Sequence, residues 1–214
     1  DDIVVIDHGR VIARGTAQER NDAARLYLEF LLSGPGRAKA LHADPHPGNY
    51  RITPEGRLAV FDFGAVNRLP DGLPPDMGQI ISLALRGDAE RMTQRLKAAG
   101  FIRPQITIDP GQLLSYLTPF LAPLLTEEFT FSREWLRGIG TRINDPRQPD
   151  WVVGTRLNLP PDYLLIRRVW LGGIGVLCQI GGTVPGRSMF ERLVPGADFP
   201  PLDADDAQVF DDLF

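Results

Sequence analysis

One stretch, residues 41–64, constrains the fold more than any other part of the sequence. It reads LHADPHPGNYRITPEGRLAVFDFG and holds two polar clusters joined by a short hairpin-like segment. The first cluster, His42–Asn49, is rich in proline and glycine, which exclude a regular helix and favour a rigid loop. The second cluster, Asp62–Gly64, follows the apolar run Leu58–Phe61. The stretch therefore predicts two polar loops connected by β-structure.

A β-hairpin is predicted to connect the two clusters. Strands are predicted over Tyr50–Thr53 and Arg57–Phe61, and the intervening Pro54–Gly56 is typical of a turn. A hairpin returns the chain to the side of its own start. We therefore expect Asn49 and Asp62 to lie next to each other.

Three side chains of this stretch have the chemistry of a magnesium-dependent phosphate site. Asp44 precedes Asn49 by five residues, and Asp62 follows Asn49 by thirteen. Mg²⁺ takes oxygen ligands, so Asn49 and Asp62 suit it when a triphosphate and water supply the others. Asp44 is then free to orient or deprotonate an attacking hydroxyl group or water. The combination predicts phosphoryl transfer, which depends on positioning and on neutralising phosphate charge.

The pattern HxDxxxxN followed by DFG resembles the catalytic and metal-binding loops of the protein-kinase-like superfamily. The loop sequence HADPHPGN, in place of an HRD-type loop, is similar to that of the ABC1/UbiB/ADCK (AarF-like) family of atypical kinases. Residues 64–70 (GAVNRLP), Leu157–Arg168 (LNLPPDYLLIRR) and Val169–Leu177 add to this resemblance, which covers most of the chain. The loop is also similar, more loosely, to that of aminoglycoside and choline phosphotransferases.

The resemblance implies a role for each residue of the two loops. Asp44 matches the catalytic aspartate, and His42 matches the histidine that braces the catalytic loop. Asn49 and Asp62 match the metal ligands, and Gly64 completes the DFG that binds the nucleotide with its metal. ATP and Mg²⁺ are the implied cofactors.

The implied fold is the C-terminal lobe of a kinase, mainly α (α+β overall), with a small β-hairpin that carries the metal site. It is expected as one domain over residues 1–214, with a hinge or the end of an N-lobe at residues 1–10 and an acidic tail at 203–214. Neither lysine, Lys39 or Lys97, suits the strand lysine that grips phosphates, and the family's KxGQ motif is absent. The chain is therefore expected to need an N-lobe of the same protein as its partner, and to bind ATP poorly alone.

Apolar residues recur at helical spacing through most of the remaining sequence. A Gly-Pro-Gly at residues 34–36 is expected to end the first helix, and Asp145–Asp150 is expected to be a loop. For Arg167 and Arg168, which interrupt the most apolar helix, two interpretations remain: one pairs with a loop carboxylate, or both face solvent. Helices are predicted over Thr16–Ser33, Asp76–Leu85, Asp88–Ala99, Asp109–Thr126, Ser132–Ile143 and Pro161–Ile180, with a short one near Met189–Leu193.

Composition and net charge limit the partners and the cellular compartment expected for this protein. The net charge of −4 argues against nonspecific nucleic-acid binding. The single cysteine, Cys178, allows no internal disulfide and fits a reducing cytoplasm. The most apolar segment, Tyr163–Ile180, is too short and, with Arg167 and Arg168, too charged to predict a membrane span, which leaves peripheral membrane contact open. The alanine, glycine, proline and arginine bias suggests a bacterial genome.

Several functions are compatible with these residues. The first is a UbiB-type kinase or ATPase linked to isoprenoid-quinone (ubiquinone) or lipid metabolism, whose acceptor is a small molecule, a lipid, a quinone precursor or water. The second is an aminoglycoside-type phosphotransferase, with acidic substrate-binding candidates at Glu127, Glu128 and Glu134. The third is a kinase-like binding module without turnover. A metallohydrolase using His42, Asp44 and His46 is disfavoured, because such sites usually need more histidines.

Overall fold

The computed structural model describes residues 5–7, 10–12 and 15–202, and for residues 5–7, 10–12, 149 and 150 it describes the backbone alone. The predicted acidic tail and much of the predicted hinge lie outside these residues. The elements in chain order are β1 (Val5–Asp7), β2 (Arg10–Ile12), α1 (Ala17–Ala38), β3 (Ala40–His42), a 3-10 turn (Pro47–Asn49), β4 (Tyr50–Ile52), β5 (Leu58–Val60), β6 (Val66–Arg68), α2 (Pro75–Leu85), α3 (Ala89–Ala98), α4 (Pro110–Leu121), a 3-10 turn (Ala122–Leu124), β7 (Phe129–Thr130), α5 (Arg133–Asn144), α6 (Pro149–Arg156), a 3-10 turn (Pro161–Tyr163), α7 (Leu164–Ile180), β8 (Thr183–Val184) and α8 (Gly186–Leu193).

The described residues form two compact units. The first contains the chain up to Leu73 together with Glu128–Leu136 and Leu164–Pro185. The second contains Pro74–Glu127, Arg137–Tyr163 and the residues from Gly186 onward. All residues predicted to form the site belong to the first unit. The expectation of one domain over the whole chain stays a prediction.

Helices α1 and α7 build the core of the first unit. Tyr27 and Leu31 of α1 and Val169 and Leu177 of α7 are almost fully buried. Burial of a leucine side chain stabilises a fold by roughly 1.5–3 kcal/mol. The two helices approach closely at Gly173, where an added Cβ would lie 2.6 Å from the Leu31 Cδ1. This pair of helices supports the polar loops predicted from the sequence.

Helix α1 begins as predicted but ends later. Thr16 caps it, accepting a bond from the Glu19 backbone N–H while the Glu19 carboxylate accepts from the Thr16 N–H at 2.7 Å. That bond from the Thr16 backbone holds the pKa of Glu19 below its ordinary value. The predicted end near Gly34 is wrong, because Pro35 is buried inside the helix, which stops only where Lys39 adopts a left-handed φ of 53°. Burial of the proline ring outweighs the backbone bond that it removes.

All β-structure in the described residues consists of two-stranded antiparallel sheets, pairing β1 with β2, β3 with β6, β4 with β5, and β7 with β8. The β4–β5 pair is the predicted hairpin, with Tyr50 opposite Val60 and Ile52 opposite Leu58. The β3–β6 pair joins segments on either side of that hairpin, with His42 opposite Val66. Together these two pairs place the start of the first polar loop beside the end of the second.

The second unit is helical and packs around its own apolar core. Its helix α6 is absent from the sequence prediction, which expects a loop over Asp145–Asp150. The helix starts at Pro149, a residue whose fixed φ suits the first position of a helix. The buried residues of this core are Ala84, Met92, Leu96, Ile102, Ile108, Leu113, Leu121, Leu124, Val153 and Phe199.

Within the described part of the chain, Pro161–Ile180 is the only helical segment whose length and composition would allow it to cross a membrane. In this fold its α7 portion packs against α1, and core helices of soluble domains pass the same test. The segment is therefore only weak evidence for membrane insertion.

The Cys178 thiol is expected to be chemically inert in the folded protein. It is buried in α7, and burial raises its pKa to about 12. Because the thiolate is the reactive form and the folded pKa lies far above neutrality, the group stays protonated at pH 8. Ellman's reagent at pH 8 should label the native protein slowly and the guanidinium-unfolded protein fully. Equal rates in the two states would contradict this burial.

Candidate functional site

Backbone hydrogen bonds join the two polar loops. The Ala43 N–H donates to the Ala65 carbonyl at 2.9 Å and extends the β3–β6 pairing toward the loops. The Phe61 N–H donates to the Asn49 carbonyl at 2.8 Å and extends the hairpin. Asp62 therefore follows directly after the residue paired with Asn49, which confirms the adjacency predicted from the hairpin.

Asp44 is held by Asn49 within the first loop. The Asn49 side-chain Nδ2 donates to the Asp44 Oδ2 at 2.9 Å and to the Asp44 carbonyl at 3.2 Å. Asn49 is only 8% exposed and ends the 3-10 turn, whose first residues are capped by His46 through a bond from the Gly48 N–H at 3.1 Å. The amide nitrogen is thus committed to Asp44, and the amide oxygen is the atom that remains for a ligand.

Asp62 has an unusual backbone conformation. Its φ of 56° lies in the left-handed region, and Lys39 is the other non-glycine residue with positive φ among those described. The Asp62 Oδ1 accepts from the Gly64 N–H at 3.1 Å, which stabilises this turn, and the side chain is exposed. Left-handed residues other than glycine cost free energy and cluster at functional sites. The conformation is consistent with a carboxylate aimed by its backbone.

His42 and Tyr50 connect the two loops from below. The His42 ring is 5% exposed, with Nε2 3.1 Å from the Asp62 carbonyl oxygen and Nδ1 3.2 Å from the Tyr50 hydroxyl. A carbonyl oxygen only accepts, so Nε2 is the donor in this pair. The Tyr50 hydroxyl also lies 3.4 Å from the Asp44 carbonyl. One buried histidine and one buried tyrosine therefore brace the backbones of both aspartates.

Burial raises the pKa of the Tyr50 phenol, and the nearby Asp44 charge raises it further. The hydroxyl consequently stays protonated at neutral pH and remains a hydrogen-bond donor. Its ring packs edge-on against Tyr27 of α1, with 4.8 Å between ring centroids. The brace is thus anchored in the core of the first unit.

Helix α7 contacts the first loop from the side. Arg168 Nη2 lies 3.6 Å from Asp44 Oδ1, so that the interpretation in which one of the two arginines pairs with a loop carboxylate is confirmed. Gly172 faces Pro45, and a Cβ at position 172 would overlap the proline ring. Close contact with the loop therefore explains the glycine at position 172 of this apolar helix.

Residues 3–96 match the model of the ABC1 atypical kinase-like domain. The predicted resemblance to this family is therefore confirmed over this segment. The relatives include Protein ACTIVITY OF BC1 COMPLEX KINASE 3, chloroplastic, of Arabidopsis thaliana, which is 39% identical over 131 residues, covering 59% of this chain and 17% of that protein. An uncharacterized protein of Synechocystis sp., slr1919, is 38% identical over 69 residues, or 32% of this chain and 12% of its own length.

A solved structure shares the fold. The mycobacterial protein Rv3197, from the complex of Rv3197 and erythromycin of Mycobacterium tuberculosis, superposes with a TM-score of 0.77 at 28% identity. The match covers 87% of this chain and 46% of that one. That neighbour has a kinase-like fold, so the prediction of a mainly helical, kinase-like lobe is confirmed. The chain spans less than half the length of these relatives and of this structural neighbour.

The oxygen donors of Asn49 and Asp62 fit Mg²⁺. The Asn49 amide oxygen and the Asp62 carboxylate are hard oxygen ligands carried on adjacent, hydrogen-bonded strand ends. A metallohydrolase site fits less well, because both nitrogens of His42 and the Nδ1 of His46 are already engaged in hydrogen bonds. No group of three or more His, Cys, Asp and Glu side chains in the described residues could hold a metal. A metal here would thus take its remaining ligands from phosphate and water.

The described residues offer fewer candidates for binding the nucleotide than for binding the metal. Lys39 forms the C-cap of α1 and Lys97 lies within α3 of the second unit, so neither occupies a strand beside the loops. Tyr50 is not among the residues predicted from the sequence, although it directly follows Asn49 as the first residue of β4. The contact between Pro45 and Gly172 is not predicted either, because no local sequence pattern indicates it.

Proposed function

We propose that this chain, whose residues 3–96 match the ABC1 atypical kinase-like domain, is the catalytic, metal-binding lobe of an ATP-dependent phosphotransferase or ATPase. The observation that carries the proposal is the joining of Asp44, Asn49 and Asp62 in one hydrogen-bonded site, with His42 and Tyr50 bracing the backbones of both aspartates. Those three side chains match the catalytic and metal-binding positions of the kinase-like superfamily.

Each residue of the site has a defined task in this proposal. Asp44 accepts a hydrogen bond from the acceptor hydroxyl or water and orients it, taking its proton as transfer proceeds. Asn49 and Asp62 would hold Mg²⁺, which would neutralise negative charge on the phosphates of ATP. His42 keeps the Asp62 backbone in its left-handed turn, and Gly64 secures the carboxylate by its N–H. The site thereby separates proton handling from metal binding.

The acceptor and the cellular setting extend the proposal. The acceptor is a small molecule, a lipid, a quinone precursor or water, and the pathway is that of isoprenoid quinones or lipids in a bacterial cell. The N-lobe of the same protein supplies the remaining nucleotide contacts. The protein acts in the cytoplasm, with peripheral membrane contact and without nucleic acid.

A second candidate function is phosphorylation of a drug-like small molecule, as in aminoglycoside-type phosphotransferases. It is favoured by one observation, namely that the structural neighbour Rv3197 was solved in a complex with erythromycin. Macrolide phosphorylation by the full-length protein would distinguish it from hydrolysis or lipid transfer.

Mg·ATP binding tests the proposal directly. Asp62→Asn in the full-length protein should weaken Mg²⁺-dependent ATP affinity by at least the 10–100-fold that loss of an outer-shell metal partner costs. Isothermal titration with and without Mg²⁺ measures this, beside phosphate release. Asp71→Asn, which alters an exposed carboxylate on the next loop, is the matched control. If the wild-type protein neither binds nor hydrolyses Mg·ATP, the enzyme proposal fails and the binding module takes its place.

A further inference from the structure

Helix α7 touches the Asp44 loop at two points that lie one helical turn apart. Arg168 forms an ion pair with Asp44 at 3.6 Å, and Gly172 accommodates the ring of Pro45. Residues four positions apart lie on the same face of a helix. This face of α7 therefore contacts two consecutive residues of the loop, one by charge and one by shape.

Each oxygen of the Asp44 carboxylate has its own partner. The Asp44 Oδ2 accepts from Asn49 Nδ2 at 2.9 Å, and its Oδ1 faces the Arg168 guanidinium. We propose that Arg168 is a positioning residue that holds the Asp44 carboxylate and its loop in one orientation. The effect on turnover rests on the function proposed above, whereas the effect on the loop does not.

Folding stability does not explain the pair. The side chain of Arg168 is 62% exposed and that of Asp44 is 34% exposed. Ion pairs this exposed contribute little to stability, because water and salt screen them. Orientation is different, since a displacement of about 1 Å at a reacting group can cost on the order of a hundredfold in rate. Arg168 is therefore expected to affect the geometry of Asp44 more than the melting temperature.

Four forms of the full-length protein test the inference: wild type, Arg168→Gln, Arg168→Lys and Arg167→Gln. Arg167 is the matched control, because it is an exposed arginine on the same helix beside Arg168. The first readout is amide hydrogen exchange by mass spectrometry, without nucleotide, over residues 43–49. Exchange should be faster in Arg168→Gln than in wild type and unchanged in Arg167→Gln.

The second readout is steady-state Mg·ATP turnover together with the melting temperature. Arg168→Gln should lower kcat by roughly tenfold to a hundredfold, with Mg·ATP affinity and melting temperature near wild type. Arg168→Lys should recover part of kcat, because it restores the charge but not the planar guanidinium. A purely structural role would instead lower the melting temperature and leave kcat per folded molecule unchanged.

The outcomes separate this inference from the proposed function. Identical exchange over residues 43–49 in the two glutamine variants would overturn the positioning role, whether or not the protein is active. An active wild type whose Arg168→Gln variant keeps full kcat would overturn it as well. An inactive wild type would sink the proposed enzyme, and the exchange comparison would still decide whether Arg168 holds the loop.

Discussion

Replacing Asp44 by asparagine is expected to lower phosphoryl-transfer turnover by about 10²–10⁴-fold, the range that a positioned general base contributes. Asparagine has nearly the same shape and keeps an oxygen that can accept from Asn49 Nδ2, so the loop should remain folded. It cannot take a proton from the acceptor. Steady-state phosphate release by the full-length protein measures the loss.

Affinity for Mg·ATP distinguishes the roles of the two aspartates. In the proposed site Asp44 handles the acceptor and Asp62 binds the metal, so Asp44→Asn should keep nucleotide affinity whereas Asp62→Asn should lose it. Titration of both variants with Mg·ATP provides the comparison. Loss of binding in Asp44→Asn would identify Asp44 as a metal ligand. Full turnover in that variant would remove it from the mechanism.

The parts of the site that were predictable from sequence depend on short spacing. Asn49 and Asp62 flank a hairpin whose turn residues, Pro54–Gly56, are characteristic, so their adjacency follows from local rules. Within the first loop, proline and glycine restrict the backbone, and five residues separate Asp44 from Asn49. Local chemistry is enough to bring these side chains together.

The support beneath the site depends on pairing between distant segments. The Tyr50–His42–Asp62 chain of contacts forms because β3 pairs with β6 around the whole hairpin. Short strands such as these, three residues each, carry too little periodicity to be recognised. A histidine that braces the loop was implied by the family resemblance, but its tyrosine partner was not.

Tertiary packing, and not local sequence preference, determines where α1 ends and which arginine of α7 contacts the loop. Pro35 should stop α1, yet its burial keeps the helix going for another turn. Arg167 and Arg168 are equivalent in sequence, and only the placement of α7 against the loop shows that Arg168 reaches Asp44. Which face of α7 meets the loop is set by contacts with α1 rather than by the apolar pattern alone.

Replacing Gly182 by alanine is expected to destabilise the first unit more than any change considered above. Gly182 is buried where β8 begins beside α1, and an added Cβ would overlap the Arg20 carbonyl and lie 2.8 Å from the Ala24 Cβ. Its neighbour Thr183 is tied to α1 by a bond from its N–H to Asn21 Oδ1 at 2.8 Å. The Arg20 carbonyl is a backbone group and cannot rotate away as a flexible side chain could. A shift of the segment around Gly182 would instead break the Thr183 bond to Asn21. Overpacking of this kind costs about 1–3 kcal/mol and occasionally more.

Gly175 provides the matched control for this prediction. It lies within α7, and an added Cβ there meets no atom within 4 Å. Alanine should therefore stabilise the helix at this position, by roughly 0.5–1 kcal/mol, through the lower entropy of the unfolded chain. Denaturant unfolding of both variants, with equal slopes, gives the two free-energy changes. Opposite signs for Gly182→Ala and Gly175→Ala would show that close approach of backbones, and not helix propensity, fixes glycine at position 182. A neutral Gly182→Ala would contradict the close packing of α1 against β8 at this position.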